Sequence, residues 1–528
     1  MWKTDENPVC ALRGVKVYLP EPTEKGYAEF RKLVDFMCRF RYNCLMIETG
    51  GAMEYKSHPE INEGWIEYCA FMNEYSGKPQ EIQHQFDWNK NSIHSTNGGG
   101  RVVPQRKIAS LLDYCRERGL EVIPELPSLS HCDFLLTRHP ELSERSDDPY
   151  PDTVCPQHPE YYPLLFDLID ETLALFRPKR RNLGHDEYYS SALCPKCRHL
   201  DAAEIFAADI RRCHGYLKEH DVKMMIWGEK LLDARFPDGY PIGGNELGVW
   251  HQPENPYRTP PTKRAIELIP RDLEILHWYW SVDRSLDEQY IAHGFSMIFG
   301  NFHGMLMPEW ERRRLAPNLL GTCCSNWGAT DFLSLQRNAI LYEIAYSSQL
   351  HWDSSLTSAD DGLIRTRALV ELYAAKCEQD PPGRYMEIVH STDEERPYVR
   401  FFDGNFVDEG KDLLGYHVFC SPSGNECRFP VIWGSNITAK SVKMERGSLE
   451  KLDLGTGGDH KQDCYTVDCR FMEVSYSTLP EIQPIGLTCR YRCRLPDDGQ
   501  NYSYGGFEPH GGFSGEVRLE EFREITKS

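Results

Sequence analysis

Asp186 and Glu187 are adjacent carboxylates, preceded by Gly184 and His185 and followed by Tyr188 and Tyr189. Two neighbouring acids can divide the labour of proton transfer: one stays ionised while the other is pushed toward its protonated form. Acid pairs are also common on solvated surfaces, so position has to decide. This pair follows a helix-like segment at 159–176 and precedes another at 201–220, which places it where a strand ends. Other chemically capable residues occupy comparable points. They are Glu48, Glu125 with His131 beyond it, Trp227 with Glu229, the run Trp278, Tyr279 and Trp280, Asn301 with His303, and Trp327. Carboxylates combined with tryptophans suit a carbohydrate: an indole face covers the apolar side of a pyranose while charged groups bond its hydroxyls. One such tryptophan is usually core, but several at equivalent strand ends argue for a shared face.

The elements that would position these residues alternate regularly. Strand patterns occur at 13–19, 43–48, 121–126, just before Asp186, and at 223–229, 273–280, 295–301 and 319–327. They carry few polar residues except at their carboxyl ends, as strands buried on both faces do. Helical spacing separates them; at 24–41 it puts Phe30, Leu33, Val34 and Met37 on one face. Eight strand–helix units predict a (β/α)8 TIM barrel, whose active sites lie at the carboxyl ends of the strands. The segment 246–250 is an alternative strand that would shift the count. The stretch 50–103, rich in Trp, Tyr, His, Asn and Gly, is too long for a plain connection and reads as a functional insertion. Helices at 331–350 and 363–377 close the first domain, 1–378. Beyond the break Asp380, Pro381, Pro382, Gly383, short alternating stretches at 385–389, 414–419, 429–433, 465–474 and 485–491 predict an antiparallel β-sandwich domain, 379–528.

Composition excludes some classes. The net charge of −21 argues against a nucleic-acid partner, which needs basic patches. There is no run of eighteen apolar residues to span a membrane, no apolar leader after Met1, and the 19 cysteines lack the dense spacing of a secreted scaffold. A cytoplasmic protein with reduced thiols is the expectation, and a homo-oligomer stays open. Cys194 and Cys197, with His199, Cys213 and His214 nearby, have partial zinc spacing but fall short of four placed ligands. Packed thiols are the expectation there, so neither metal nor cofactor is assigned. Trp433 and the C-terminal tyrosines suit either a glycan-binding face or a sandwich core.

Adjacent carboxylates also constrain mechanism. Ordinary glycosidases flank the scissile bond with two carboxyl groups, about 5–5.5 Å or about 6.5–9.5 Å apart. Neighbours on one strand end do not easily take opposite faces of one anomeric carbon. They suit a substrate that supplies its own nucleophile.

At this point the chain resembles glycoside hydrolase family 20, the exo-β-N-acetylhexosaminidases, whose hallmark is His-x-Gly-Gly-Asp-Glu. Here the stretch reads Asn182, Leu183, Gly184, His185, Asp186, Glu187. The family's Arg-Gly on the first strand is similar to Arg13-Gly14, its Pro-Glu-(x)5-His to Pro124-Glu125 through His131, and its aromatic pocket to Trp227, Trp278, Tyr279, Trp280 and Trp327. The resemblance implies that Glu187 is the general acid and base, and that Asp186 orients a 2-acetamido group which attacks the anomeric carbon through an oxazolinium intermediate. It further implies that Tyr279 holds the acetamide oxygen and Arg13 the sugar hydroxyls. The departures are Asn182 and His185 inside the hallmark, Ala329 where a glutamate often stands, and no accessory domain before the barrel. The expectation is a cofactor-free retaining exo-glycosidase for terminal β-linked N-acetylhexosamine, with His185 and Asn301 also lining the site. The alternatives are a barrel glycosidase of altered substrate range and a non-catalytic sugar-binding or regulatory protein.

Overall fold

Eight strands close a parallel barrel in chain order in the computed structural model, which describes residues 5–75, 78–393, 413–433, 436–437 and 490–528. They are β1 Leu12–Tyr18, β2 Cys44–Glu48, β3 Glu121–Ser128, β4 Arg180–Gly184, β5 Lys223–Trp227, β6 Glu274–His277, β7 Ser296–Phe299 and β8 Leu319–Ser325, and β8 pairs back onto β1. The two-residue period of a strand sorts their side chains. Val15, Val17, Leu45 and Ile47 join the core beneath the helices, whereas Leu12, Tyr18, Cys44 and Met46 face the lumen.

The lumen is filled in layers. At its amino end Arg180 pairs with Glu121 at 2.6 Å and Glu274 at 2.9 Å, and Lys223 with Glu274 at 3.2 Å. Met46, Ile123, Met225, Leu276 and Ile298 form an apolar middle. Trp227 and Trp327 lie above it, and Trp227 fits because residue 300 is glycine: a Cβ there would come within 2.4 Å of the indole.

Helices α1 Glu24–Arg39, α2 Pro59–Met72, α3 Gln105–Glu117, α4 Tyr161–Phe176, α5 Ala202–Glu219 and α6 Ser285–Ala292 surround the barrel or its insertion, followed by α7 Ile340–Trp352 and α8 Asp361–Glu378. Thr23 and Asp201 start α1 and α5 by accepting hydrogen bonds from the backbone of the first turn, as N-caps do. Phe30, Leu33, Val34 and Met37 are all buried, as their spacing predicts.

The regular alternation weakens in places. Between β5 and β6 there is only the 3-10 segment Lys263–Glu267, and after β7 only the short helix Trp310–Arg313 forms. Residues 246–250 contribute a two-residue strand, Leu247–Gly248, antiparallel to Arg258–Thr259 and outside the barrel. β6 stops at His277, so residues 278–280 leave the sheet as a turn. The helix expected over 331–350 is two, Phe332–Arg337 and α7, separated by a left-handed Ala339 (φ 54°).

The C-terminal region adds β9 Gly383–Thr392, β10 Leu413–Cys420, β11 Glu426–Ile432, β12 Arg490–Arg494, β13 Ser503–Pro509 and β14 Val517–Lys527. They form two three-stranded antiparallel sheets, β12-β9-β14 and β11-β10-β13. Met386 and Ile388 of one sheet share a core with Phe419 and Phe429 of the other. The strand expected at 465–474 and most of that at 485–491 lie outside the described residues. Trp433 is packed with Leu414 and Val431, so this ring belongs to the core. The Lys527 ammonium donates to the carbonyls of Cys377 (2.9 Å) and Glu378 (2.7 Å), tying these sheets to the end of α8. Among the described residues no helix is long and apolar enough to cross a membrane.

Candidate active site

Asp186 and Glu187 stand at the carboxyl end of β4, and local backbone geometry puts them there. The chain turns left-handed on leaving the strand, with φ +72° at Gly184, +73° at His185 and +51° at Glu187. A Cβ at Gly184 would lie 3.2 Å from the Pro127 Cα, and its φ favours glycine in any case. Left-handed non-glycine residues cost about 1–3 kcal/mol each and concentrate at functional sites. His131 (+51°) and Asn301 (+46°), beyond β3 and β7, belong to the same group.

His131 gathers the two acids. Its Nε2 is 3.3 Å from Asp186 Oδ2 and 3.5 Å from Glu187 Oε2, while its Nδ1 lies 3.0 Å from the Ser92 carbonyl and donates to it. Glu187 Oε2 accepts from both the Ser92 amide and hydroxyl at 3.1 Å. The Glu187 amide donates to Glu229 Oε1 at 2.6 Å, and Glu229 Oε2 accepts from the Trp278 indole at 2.8 Å. Glu187 keeps 21% of its side chain exposed against 10% for Asp186. The half-buried Ser92, Glu187, Trp278 and Asn301 are thus the parts of this set that reach solvent.

The environment separates the acids electrostatically. Burial would raise Asp186, but the adjacent His131 imidazolium outweighs it and holds the carboxyl below its ordinary value. Glu187 is raised, chiefly by burial and then by the Asp186 charge, with His131 pulling the other way. His131 is pushed well up despite burial, because it faces Asp186 and Glu187. Glu229 rises to about 7, through burial and the Asp186 charge against the opposing Lys230.

Below these groups lies a second, fully buried layer. Glu125 Oε1 accepts from the Trp227 indole (2.7 Å) and Asn182 Nδ2 (3.0 Å). Lys16 Nζ is 2.7 Å from Glu48 Oε2, 3.9 Å from Glu125 Oε2 and 3.3 Å from the centre of the Trp327 ring. His94 Nδ1 is 2.8 Å from Glu48 Oε1. Burial raises Glu125 to about 8, whereas His94 and Lys16 overcome burial at Glu48 and hold it at about 2. Burial thus favours the protonated form of Glu125, and the neighbouring Lys16 and His94 favour the ionised form of Glu48. Rings link the two layers: His94 stacks on His131 at 4.6 Å and contacts Trp327 at 5.2 Å, and Trp327 meets Trp227 at 5.5 Å. The Trp327 indole donates to Asn301 Oδ1 at 2.9 Å.

Lys16 thus neutralises a buried anion, and removing one partner of such a pair costs about 3–5 kcal/mol. Lys16→Met should lower the unfolding free energy by that order in denaturant titration at neutral pH. The sign of the acid dependence follows from Glu48. Its depressed value stabilises the fold fully above its ordinary value of 4.5, and that contribution is lost as pH falls toward about 2. Glu48→Gln should flatten stability across that window.

Of the residues singled out in the sequence, Asp186, Glu187, His131, Glu125, Trp227, Trp278, Asn301 and Trp327 converge here. Tyr279 follows Trp278, whose ring it meets edge-on at 4.6 Å. Three do not join them. Arg13 is the second residue of β1 and so lies at the amino end of the barrel, donating to the carbonyls of Cys10 (2.7 Å), Ala11 (3.0 Å) and Arg41 (3.0 Å). His185 points away from the mouth into the helix layer, 2.8 Å from Asp209 of α5 and 3.0 Å from the Leu183 carbonyl. Trp280 donates to the Gly300 carbonyl at 2.7 Å and packs on Phe302. Ser92, His94 and Lys16 are the additions. Lys16 had a signal, a lone charge between Val15 and Val17; Ser92 and His94 come from the aperiodic insertion and had none.

Comparison with known proteins gives the family. The glycosyl hydrolase family 20 catalytic domain matches residues 26–289, and the chain belongs to that family. A beta-hexosaminidase of Vibrio furnissii is 25% identical over 218 residues, covering 38% of this chain and 33% of that protein. One from Akkermansia muciniphila is 22% identical over 323 residues, covering 54% of this chain and 60% of that protein. The chain therefore matches about a third and three-fifths of the lengths of these relatives. Among solved structures, the chitobiase of Flavobacterium johnsoniae superposes with a TM-score of 0.49 at 15% identity, over 70% of this chain and 52% of that one.

Proposed function

We propose that the chain is a retaining exo-glycosidase for terminal β-linked N-acetylhexosamine, with the sugar's own acetamide as nucleophile. Glu187 gives its proton to the glycosidic oxygen as the C1–O bond breaks. The acetamide oxygen forms the new bond to C1, leaving a free alcohol and a bicyclic oxazolinium. Asp186, ionised beside His131, accepts from the acetamide N–H and offsets the positive charge that develops there. Glu187, now a carboxylate, takes a proton from water; that water adds to C1 and reopens the ring with retained configuration. Tyr279 is the candidate donor to the acetamide oxygen.

The observation that carries this reading is the placement of both carboxylates on one histidine at one strand end. The other nearby acids suit a covalent role poorly. Glu229 has both oxygens engaged and stands at about 7, and Glu125 is buried beneath the indoles at about 8. The beta-hexosaminidase names of the two relatives point the same way.

The pH profile on an aryl N-acetyl-β-hexosaminide tests the assignment. Rate needs Glu187 protonated and Asp186 ionised. With Glu187 raised and Asp186 lowered, kcat/KM should fall as pH rises through the Glu187 value, and fall again only in strong acid, where Asp186 protonates. A rate that keeps climbing with pH would contradict Glu187 as the acid, and absence of turnover would favour a sugar-binding role. One observation favours an altered substrate range: Arg13 lies at the far end of the barrel and residue 329 is alanine, so neither supplies a charged group to the distal hydroxyls.

A further inference from the structure

Two loops meet beside the candidate site and bring together four residues that are far apart in sequence. Cys155 and Glu144 come from the loop after β3, Cys194 and Cys197 from the loop after β4, and one ligand atom from each lies within 4.8 Å of all the others. Cys155 Sγ is 3.2 Å from Cys194 Sγ and 3.5 Å from Cys197 Sγ. A disulfide needs about 2.05 Å. Four ligands around zinc, with Zn–S of about 2.3 Å, place their sulfurs about 3.8 Å apart, so the observed spacings need open by only a few tenths of an ångström.

We propose that Glu144, Cys155, Cys194 and Cys197 bind a structural zinc ion in a closed Cys3Glu site. Local geometry prepares the ligands. The Cys194 carbonyl accepts from the amides of Cys197 (3.0 Å) and Arg198 (2.9 Å), a tight turn that keeps both sulfurs on one side. Glu144 Oε1 accepts from the amides of Leu193 (2.6 Å) and Cys194 (3.1 Å), which fixes the carboxylate. Its Oε2 is buried with no hydrogen-bond partner, the state of an atom reserved for a cation. Cys155 and Cys197 pack with Ile205 in a small apolar cluster of their own, which shields the centre from water. Binding would release one proton from each of the three thiols, leaving three thiolates, one carboxylate and Zn²⁺ with a net charge of −2. The residues near Cys194 that the sequence suggests as ligands do not take part. His199 is exposed, Cys213 lies against Asp209, and His214 pairs with Asp272 at 2.9 Å.

The ion would staple the loops that carry the candidate site. The Val154 amide donates to the Leu129 carbonyl (2.8 Å) and the Cys132 amide to the Asp152 carbonyl (2.9 Å), so the Cys155 segment is bonded to the stretch holding His131. Cys194 follows Glu187 on the same loop. The ion is therefore a positioning device that holds His131 against the acid pair.

The test is metal analysis of the full chain purified without chelator, together with the spectrum of its cobalt-substituted form. The expected result is one zinc per chain, and for cobalt an intense thiolate charge-transfer band in the near ultraviolet with tetrahedral visible bands. Cys197→Ser should lose the zinc, and a strong chelator should lower Tm by roughly 5–10 °C in the wild type but not in that variant. Glu144→Gln keeps the shape of the loop and should retain zinc more weakly than the wild type. Zinc-free protein with three titratable thiols would overturn the proposal, as would a Cys155–Cys194 disulfide, or zinc that survives the loss of both Cys155 and Cys197. None of these readouts depends on turnover, so the proposal fails or stands separately from the glycosidase reading.

Discussion

Glu187→Gln should cut kcat/KM on an N-acetyl-β-hexosaminide by about a thousandfold, within the 10²–10⁴ that a placed general acid contributes. Glutamine keeps the shape and can still accept from the Ser92 amide and hydroxyl that hold Glu187 Oε2, so the loop should stay folded and Tm should hardly move. What is lost is the proton. The loss should therefore grow with the basicity of the leaving group, small for an activated phenol and largest for an alkyl alcohol or a sugar. The basic limb of the pH profile should vanish with it. Steady-state kinetics across a series of leaving groups checks this. An equal loss on every leaving group would mean that Glu187 acts through structure instead of proton donation.

Asp186→Asn should cost about 10²–10³ in kcat, the range expected when a charge aimed at a developing opposite charge is removed. Its second effect is more diagnostic. The Asp186 charge helps raise Glu187 and is the main favourable influence on His131. Neutralising it should lower both values, so the residual activity should lose its basic limb at lower pH than the wild type. The pH dependence of kcat/KM in this variant measures that displacement directly. An unmoved limb would mean that the two carboxyl groups are electrostatically independent.

The fold was largely legible because its signals are local. Apolar runs such as Cys44–Ile47, ending in a carboxylate, mark strands buried on both faces, and the spacing of Phe30, Leu33, Val34 and Met37 marks a helix against them. Asp186 and Glu187 could be placed because Gly184 ends a strand just before them. The errors arose where direction or long-range contact decides. Arg13 is the second residue of its strand, which puts it at the amino end of a parallel barrel; strand polarity overrides the motif likeness. His185 and Asp186 are sequence neighbours, yet the left-handed turn sends one to the helices and the other to the mouth, and periodicity carries no trace of such a turn. In the turn after His277 the Trp278 indole reaches Glu229, whereas the Trp280 indole bonds the Gly300 carbonyl and so leaves the set. Ser92 and His94 sit in an insertion without periodicity, and Cys155 meets Cys194 only because two loops of the barrel lie side by side.

The measurement that bears most directly on the proposed mechanism compares two aryl β-glycosides that differ only at C2, one with an acetamido group and one with a hydroxyl. If the substrate supplies the nucleophile, hydrolysis should be confined to the acetamido sugar, and both Asp186→Asn and Glu187→Gln should suppress it. Comparable turnover of the C2-hydroxyl glycoside would contradict the account, because no acetamide would be present to attack the anomeric carbon and a protein carboxylate would have to do so.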